Sequence, residues 1–154
     1  MRQINYILIH EALPENSPGV PRLRRDRNRG YHYVVNSAGV VRNPIDIRQP
    51  GTFAEAIRNL NPFDQQNYND SSIGIQYNGS LAEDYQPSTL NTQLTTDSQL
   101  STLNSQLKSL LVLLVELRSH FPEAKILGTS EIDGKSIHPS NAMNQLRLEL
   151  SDLP

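Results

Sequence analysis

Four histidines, His10, His32, His120 and His138, are the side chains here that both ligate metals and titrate near neutral pH. None stands four residues from another, so the two-histidine helical zinc motif is absent. Any metal site must therefore be assembled from separate strand ends and loops. His120 falls in the last turn of an expected helix, where the dipole favours a cation, and reads as structural. His32 reads as a packing or hydrogen-bonding strand residue. His10 ends an apolar stretch, Ile4-Asn5-Tyr6-Ile7-Leu8-Ile9, and so occupies the carboxyl edge at which α/β sheets place their sites. Five arginines, Arg22, Arg24, Arg25, Arg27 and Arg29, fall within eight positions and could hold phosphate or carboxylate. A solvated charged loop is the simpler reading of that run.

Cysteine is absent from the 154 residues, which excludes a disulfide framework, a thiolate nucleophile and any cysteine zinc site. The 14 Lys+Arg and 16 Asp+Glu give a net charge of −2, which disfavours a basic nucleic-acid binder. Asn, Gln, Ser and Thr number 14, 10, 15 and 7, so neutral polar groups take the place of charges on the surface. Such a surface suits glycans and peptides. The apolar runs Ile4–Ile9 and Leu110–Val115 have six residues each, too short for a signal-peptide core or a membrane span of about 20 residues. The chain therefore reads as soluble, with no membrane partner.

The elements that must carry these residues follow from periodicity. Ile4–Ile9 is a central strand with His10 at its end. Residues 14–30, broken by Pro14, Pro18, Pro21 and Gly30, form a loop. Tyr31–Val35, the turn Asn36–Gly39 and Val40–Arg42 predict a hairpin, with Tyr31, Tyr33 and Val35 on one face and His32 and Val34 on the other. Residues 43–70 read as irregular apart from one or two helical turns over Phe53–Asn59. Ser72–Tyr77 is a further strand, closed by an Asn78-Gly79 turn.

The biased segment 88–109 contains a near repeat, Thr-Leu-Asn-Thr-Gln-Leu and Thr-Leu-Asn-Ser-Gln-Leu; one pair falls short of the three units a stacked array needs. Leucines at 100, 103, 107, 110, 111, 114 and 117 predict a helix over about 97–120, opened by a Thr96/Gln99 capping box and stopped at Phe121-Pro122. Lys125–Gly128 is a last strand. Ala142–Leu150 fits either a helix (Met143, Leu146, Leu150) or a strand (Leu146, Leu148, Leu150), and a cap at Ser140 or Asn141 favours the helix. The expected fold is α/β, a single mixed β-sheet with flanking helices, in one domain over 1–154.

Several of these segments together resemble the N-acetylmuramoyl-L-alanine amidases of the zinc amidase and peptidoglycan-recognition superfamily, which includes phage lysozymes that are amidases. Tyr6-Ile7-Leu8-Ile9-His10 is similar to the family's first strand and first zinc histidine. Gly30-Tyr31-His32-Tyr33-Val34-Val35 with Gly39 is similar to its "GYHY…DG" hairpin. Tyr68-Asn69 and Ser72-Ile73-Gly74-Ile75-Gln76-Tyr77-Asn78-Gly79 are similar to its "YN…SIGI..VGG" strand. Thr96-Asp97-Ser98-Gln99 is like its "TPAQ" helix opening, and Phe121-Pro122 with Ile126-Leu127-Gly128 follows in the family's order.

The resemblance implies a peptidoglycan-directed protein acting at the cell wall. In the family, zinc held by two histidines and a Cys or Asp activates water against the amide between N-acetylmuramic acid and L-alanine. It implies His10 as first metal ligand and Tyr31 as the assisting tyrosine; Asn69 and the Arg22–Arg29 loop, Arg25 within it, are the candidate polar contacts to substrate. The family's "GH" after the last strand is here Gly128-Thr129, and its "K.CPSF" is Lys135-Ser136-Ile137-His138-Pro139-Ser140. His138 then stands in as a second ligand, Lys135 matches the family's lysine, and Glu131 or Asp133 is left as carboxylate donor. Glu11-Ala12 after the first strand and Arg42-Asn43-Pro44 after the hairpin also depart from the pattern. If a full site contributes about 10–16 kcal/mol, one ligand is worth about 3 kcal/mol, so its loss weakens zinc about a hundredfold. Two expectations result: a hydrolase with zinc on an altered ligand set, or a muropeptide- or glycopeptide-binding module of the same fold without the metal. An interaction protein using the 88–109 segment is a third.

Overall fold

The computed structural model describes residues 2–12, 30–57, 60–81, 105–132 and 141–152. Five strands form one sheet: β1 (Tyr6–Ala12), β2 (Tyr33–Val35), β3 (Val41–Arg42), β4 (Ser72–Asn78) and β5 (Lys125–Gly128). Their order is β3-β2-β4-β1-β5. β1 runs parallel to both β4 and β5, β2 runs parallel to β4, and only the β2–β3 hairpin is antiparallel. This is the mixed sheet expected, with β1 in its interior. β4 is buried along its whole length, as a parallel strand covered on both faces should be.

Alternation along the strands divides the core in two. Ile7, Ile9, Ile73, Ile75, Tyr77 and Val35 face the helices α2 (Ser105–His120) and α3 (Asn141–Asp152). Leu8 and Val34 face the other way, against Tyr31, Phe53, Ala54, Ile57 and Ile132. α2 exists because Leu107, Leu110, Leu111, Leu114 and Leu117 recur at helical spacing and are all buried. It ends at His120, before Phe121-Pro122 as expected; the Thr96/Gln99 cap and most of the biased segment lie outside the described residues. Asn141–Asp152 is helical as expected, with Met143, Leu146 and Leu150 in the core; the Ser140 alternative for its cap lies outside the described residues.

Two expectations are corrected. Residues 43–70 contain the helical turn expected near Phe53, a 3-10 turn over Phe53–Ala56, but are less irregular than expected beyond it: a ten-residue helix, α1 (Pro62–Ser71), follows. α1 is almost wholly polar, so no apolar period announces it. Its start is built from Asn61, whose Oδ1 accepts the Asp64 N–H at 2.8 Å, and from Pro62 in the first turn. The second correction concerns Tyr31. It packs on the Val34 side rather than with Tyr33 and Val35, because the chain bends at His32 and strand alternation begins only at Tyr33.

Two glycines and His32 hold this bend. Gly30 has φ of +88°, and a Cβ there would strike Thr52; Gly74 lies so close under Phe53 that a Cβ would come within 2.5 Å of its Cδ1. The His32 N–H donates to the Gly74 carbonyl at 2.9 Å, and the Gly74 N–H donates back to His32 Nδ1 at 3.0 Å. Nε2 must then carry the ring proton, which it donates to the Gln49 carbonyl at 2.7 Å. The Arg2 guanidinium, bonded to the carbonyls of Ile47, Asn69 and Asp70, lies 2.9 Å from the same nitrogen. His32 is thus a structural residue, as its strand position suggests.

Burial holds the His32 pKa below its ordinary 6.5, opposed by the Gln49 bond and reinforced by Arg2. The fold therefore prefers neutral imidazole. Its contribution is complete above pH 6.5 and declines as the pH falls from there toward the lowered folded-state pKa. His10, also lowered by burial, acts in the same direction. We expect urea midpoints to drop between pH 7.5 and pH 5, the drop to shrink in His32→Asn, and to shrink further in a variant lacking both rings. Separately, Leu110→Ala in the α2 face should cost about 2–5 kcal/mol, read as a lower urea midpoint at unchanged slope.

Candidate functional site

Parallel register places the candidate site. Ile9 is paired with Gly128, so the next residues, His10 within β1 and Thr129 just past the end of β5, lie side by side; β1 runs on to Ala12 beside β4, so His10 does not end the strand, contrary to expectation. His10 Nδ1 lies 3.0 Å from Thr129 Oγ1. Thr129 is 9% exposed and opens a 3-10 turn, Thr129–Glu131, directly after β5. The residue standing where the second zinc histidine was expected is therefore in contact with the first.

Tyr31 completes this wall. Its ring stacks between His10, with centroids 5.8 Å apart and planes 21° apart, and Phe53, at 5.7 Å and 26°. Tyr31 is 6% exposed, and burial drives its phenol pKa strongly upward, so it stays protonated and can donate a hydrogen bond. His10 is half-buried, and burial depresses its pKa. A neutral imidazole, a neutral phenol and a threonine hydroxyl thus line one corner of the sheet.

The other expected site residues fall elsewhere. Asn69 is in α1, 3% exposed, and its Oδ1 accepts the Ala54 N–H at 2.9 Å. That geometry assigns it to the scaffold, supporting the 3-10 turn that carries Phe53 beneath Tyr31. Arg25, Asp133, Lys135 and His138 lie outside the described residues. Glu131, one of the two carboxylates left as donors, is 1% exposed with both oxygens engaged. Oε1 accepts the Gly128 N–H at 2.8 Å and meets Arg147 Nη1 at 2.9 Å, while Oε2 meets Arg147 Nη2 at 3.0 Å. It braces the turn instead of facing His10. Its partner Arg147 carries no sequence signal, since nothing in an amphipathic helix marks which arginine reaches back to a strand end.

Among the described residues, the donor chemistry at this strand end does not fit catalytic zinc. Zinc takes thiolate, imidazole or carboxylate, and a neutral threonine hydroxyl is none of these. Among the described residues no group of three His, Asp or Glu side chains converges. Neither is any described helix long and apolar enough to cross a membrane.

Comparison with known proteins agrees with this scaffold. The structure of the Ph2119 endolysin from Thermus scotoductus MAT2119 bacteriophage Ph2119 is similar to this chain with a TM-score of 0.54 at 16% identity. The match covers 97% of this chain and 86% of that one. No curated protein matches. A family profile described as N-acetylmuramoyl-L-alanine amidase matches residues 1–140. With that match spanning most of its length, and with the sheet and hairpin arranged as described, the chain belongs to the N-acetylmuramoyl-L-alanine amidase family.

Proposed function

We propose that this protein is a peptidoglycan-directed member of the family that holds muropeptide beside His10 and Tyr31 without zinc-dependent hydrolysis. The observation that carries this reading is the Thr129 hydroxyl seated 3.0 Å from His10 Nδ1, at the strand end where hydrolysis requires a second metal-binding imidazole. A threonine hydroxyl satisfies the ring by hydrogen bonding but does not replace an imidazole as a donor to zinc.

The geometry that remains suits binding. Tyr31 offers a protonated phenol, His10 a neutral imidazole, and neither brings a charge that an uncharged amide or sugar hydroxyl would have to offset. The partner class is a peptidoglycan fragment or related glycopeptide, met at the cell wall. The hydrolytic alternative keeps His10, takes His138 as second ligand and needs a carboxylate. With Glu131 committed to Arg147 and Gly128, that carboxylate would have to be Asp133.

The test is calorimetric titration with N-acetylmuramoyl-dipeptide beside metal analysis of protein purified from zinc-supplemented medium. Binding is expected without stoichiometric zinc, and no stem peptide is released from muropeptide when zinc is added. Tyr31→Phe keeps the stacked ring but removes the phenolic donor, and should weaken binding about fivefold, corresponding to one hydrogen bond of about 1 kcal/mol. One equivalent of zinc that disappears in His10→Ala, together with release of stem peptide, would overturn the proposal in favour of the enzyme.

A further inference from the structure

We infer that Arg147, on the C-terminal helix, is a positioning residue for the groove: through Glu131 it holds Thr129 against His10. The helix that carries it, α3, begins at Asn141, just beyond the residues the family profile matches.

The chain of contacts is continuous. Arg147 grips the Glu131 carboxylate with both ends of its guanidinium, at 2.9 and 3.0 Å, in the bidentate geometry that fixes direction as well as distance. Nη1 also donates to the Ile126 carbonyl at 3.0 Å, on the edge strand β5, and Nη2 to Asn144 Oδ1 at 2.7 Å within α3. Glu131 in turn accepts the Gly128 N–H. The two ends of the segment 128–131 are thereby tied together through one carboxylate, and the Ile132 N–H closes back on the Thr129 carbonyl at 3.2 Å. Thr129 sits between these ties, with its hydroxyl directed at His10.

The arrangement is anchored on its far side too. Gly128 packs against Met143 of α3, where a Cβ would approach Cγ to 3.1 Å. Glu131 is 1% exposed while the Arg147 side chain is 30% exposed, so solvent reaches the pair only from the arginine side. A buried carboxylate in a turn of three residues would be costly if it lost its partner, and the turn would have to rearrange to hydrate it. Thr129 lies within that turn. Any rearrangement is therefore transmitted to the His10 contact, whereas β3 lies at the opposite edge of the sheet, three strands from β1.

The experiment uses the full chain at one fixed pH and follows the Thr129 methyl and His10 ring resonances by NMR, together with N-acetylmuramoyl-dipeptide affinity. In Arg147→Gln both sets of resonances should move while those of Val41 and Arg42 in the far edge strand β3 stay in place, and affinity should fall about tenfold. Arg147→Lys retains the charge but not the two-pronged grip, so its shifts should be intermediate and its affinity loss about threefold. If Arg147→Gln does not fold, Arg147→Lys decides. In a Thr129→Val background, Arg147→Lys should leave the His10 resonances where Thr129→Val alone puts them; a further shift of equal size overturns action through Thr129. Unmoved Thr129 and His10 resonances in the Arg147 variants overturn the inference outright. The affinity arm rests on the proposed muropeptide groove and the spectroscopic arm does not. Absence of binding by the unmodified chain would thus count against the groove and leave the Arg147 result intact.

Discussion

The register of β1 between β4 and β5 is the constraint from which the site follows. Ile7 and Ile9 point into the helical core and Leu8 into the layer of Tyr31 and Phe53, so a shift of one residue would reverse every one of them. With both faces covered, that shift is strongly opposed by burial of apolar surface. His10 therefore emerges on the Tyr31 side and beside the first residue after β5. No loop has to find this geometry, because two hydrogen-bonded parallel strands deliver both side chains to one place.

That placement means that the residue at position 129 can vary while the scaffold stays intact. A small apolar residue at position 129 would leave the half-buried His10 Nδ1 without this protein partner, at a cost of about 1–3 kcal/mol for an unsatisfied polar group. Threonine avoids the penalty. Its hydroxyl donates to an unprotonated Nδ1 or accepts from a protonated one, so it satisfies the ring in either tautomer. Fold and chemistry separate at this point, since the side chains that build the sheet differ from those that would hold a metal.

Much of this was legible in the sequence because it rests on local periodicity. β1 carries a continuous apolar run, β4 an alternation of Ile73, Ile75 and Tyr77, and α2 a leucine repeat, and the hairpin is marked by Asn36 and Gly39 around its turn. Asn36 accepts the Ala38 and Val40 N–H groups through its side chain, a bond pattern that its residue type announces. Where the reading failed, the deciding interactions were long-range or polar. α1 has a capping sequence but no apolar face, and Tyr31 changed sides because of a bend fixed by Gly74, 43 positions away in the chain. Asn69 matches a family motif, yet its side chain turns inward to Ala54. Glu131 looked like a spare carboxylate because its partner lies 16 residues on, in another element.

The electrostatic state of the corner sharpens the argument about ligand class. Burial acts oppositely on an acid and a base, raising the Tyr31 phenol and lowering the His10 imidazole, and at neutral pH both outcomes favour the uncharged form. Among the described residues, the ionised pair Glu131 with Arg147 in the adjoining turn neutralises itself. A ligand entering beside His10 thus meets, among the described residues, dipoles instead of net charge. An anionic or cationic group placed there would lose hydration without gaining a counter-ion from these residues, while an acetamido group, a peptide amide or a sugar hydroxyl would exchange water hydrogen bonds for protein ones at little cost. Discrimination at this corner should accordingly arise from hydrogen-bond geometry around Tyr31 and His10, and any preference for charged stem-peptide residues would have to be set elsewhere on the protein.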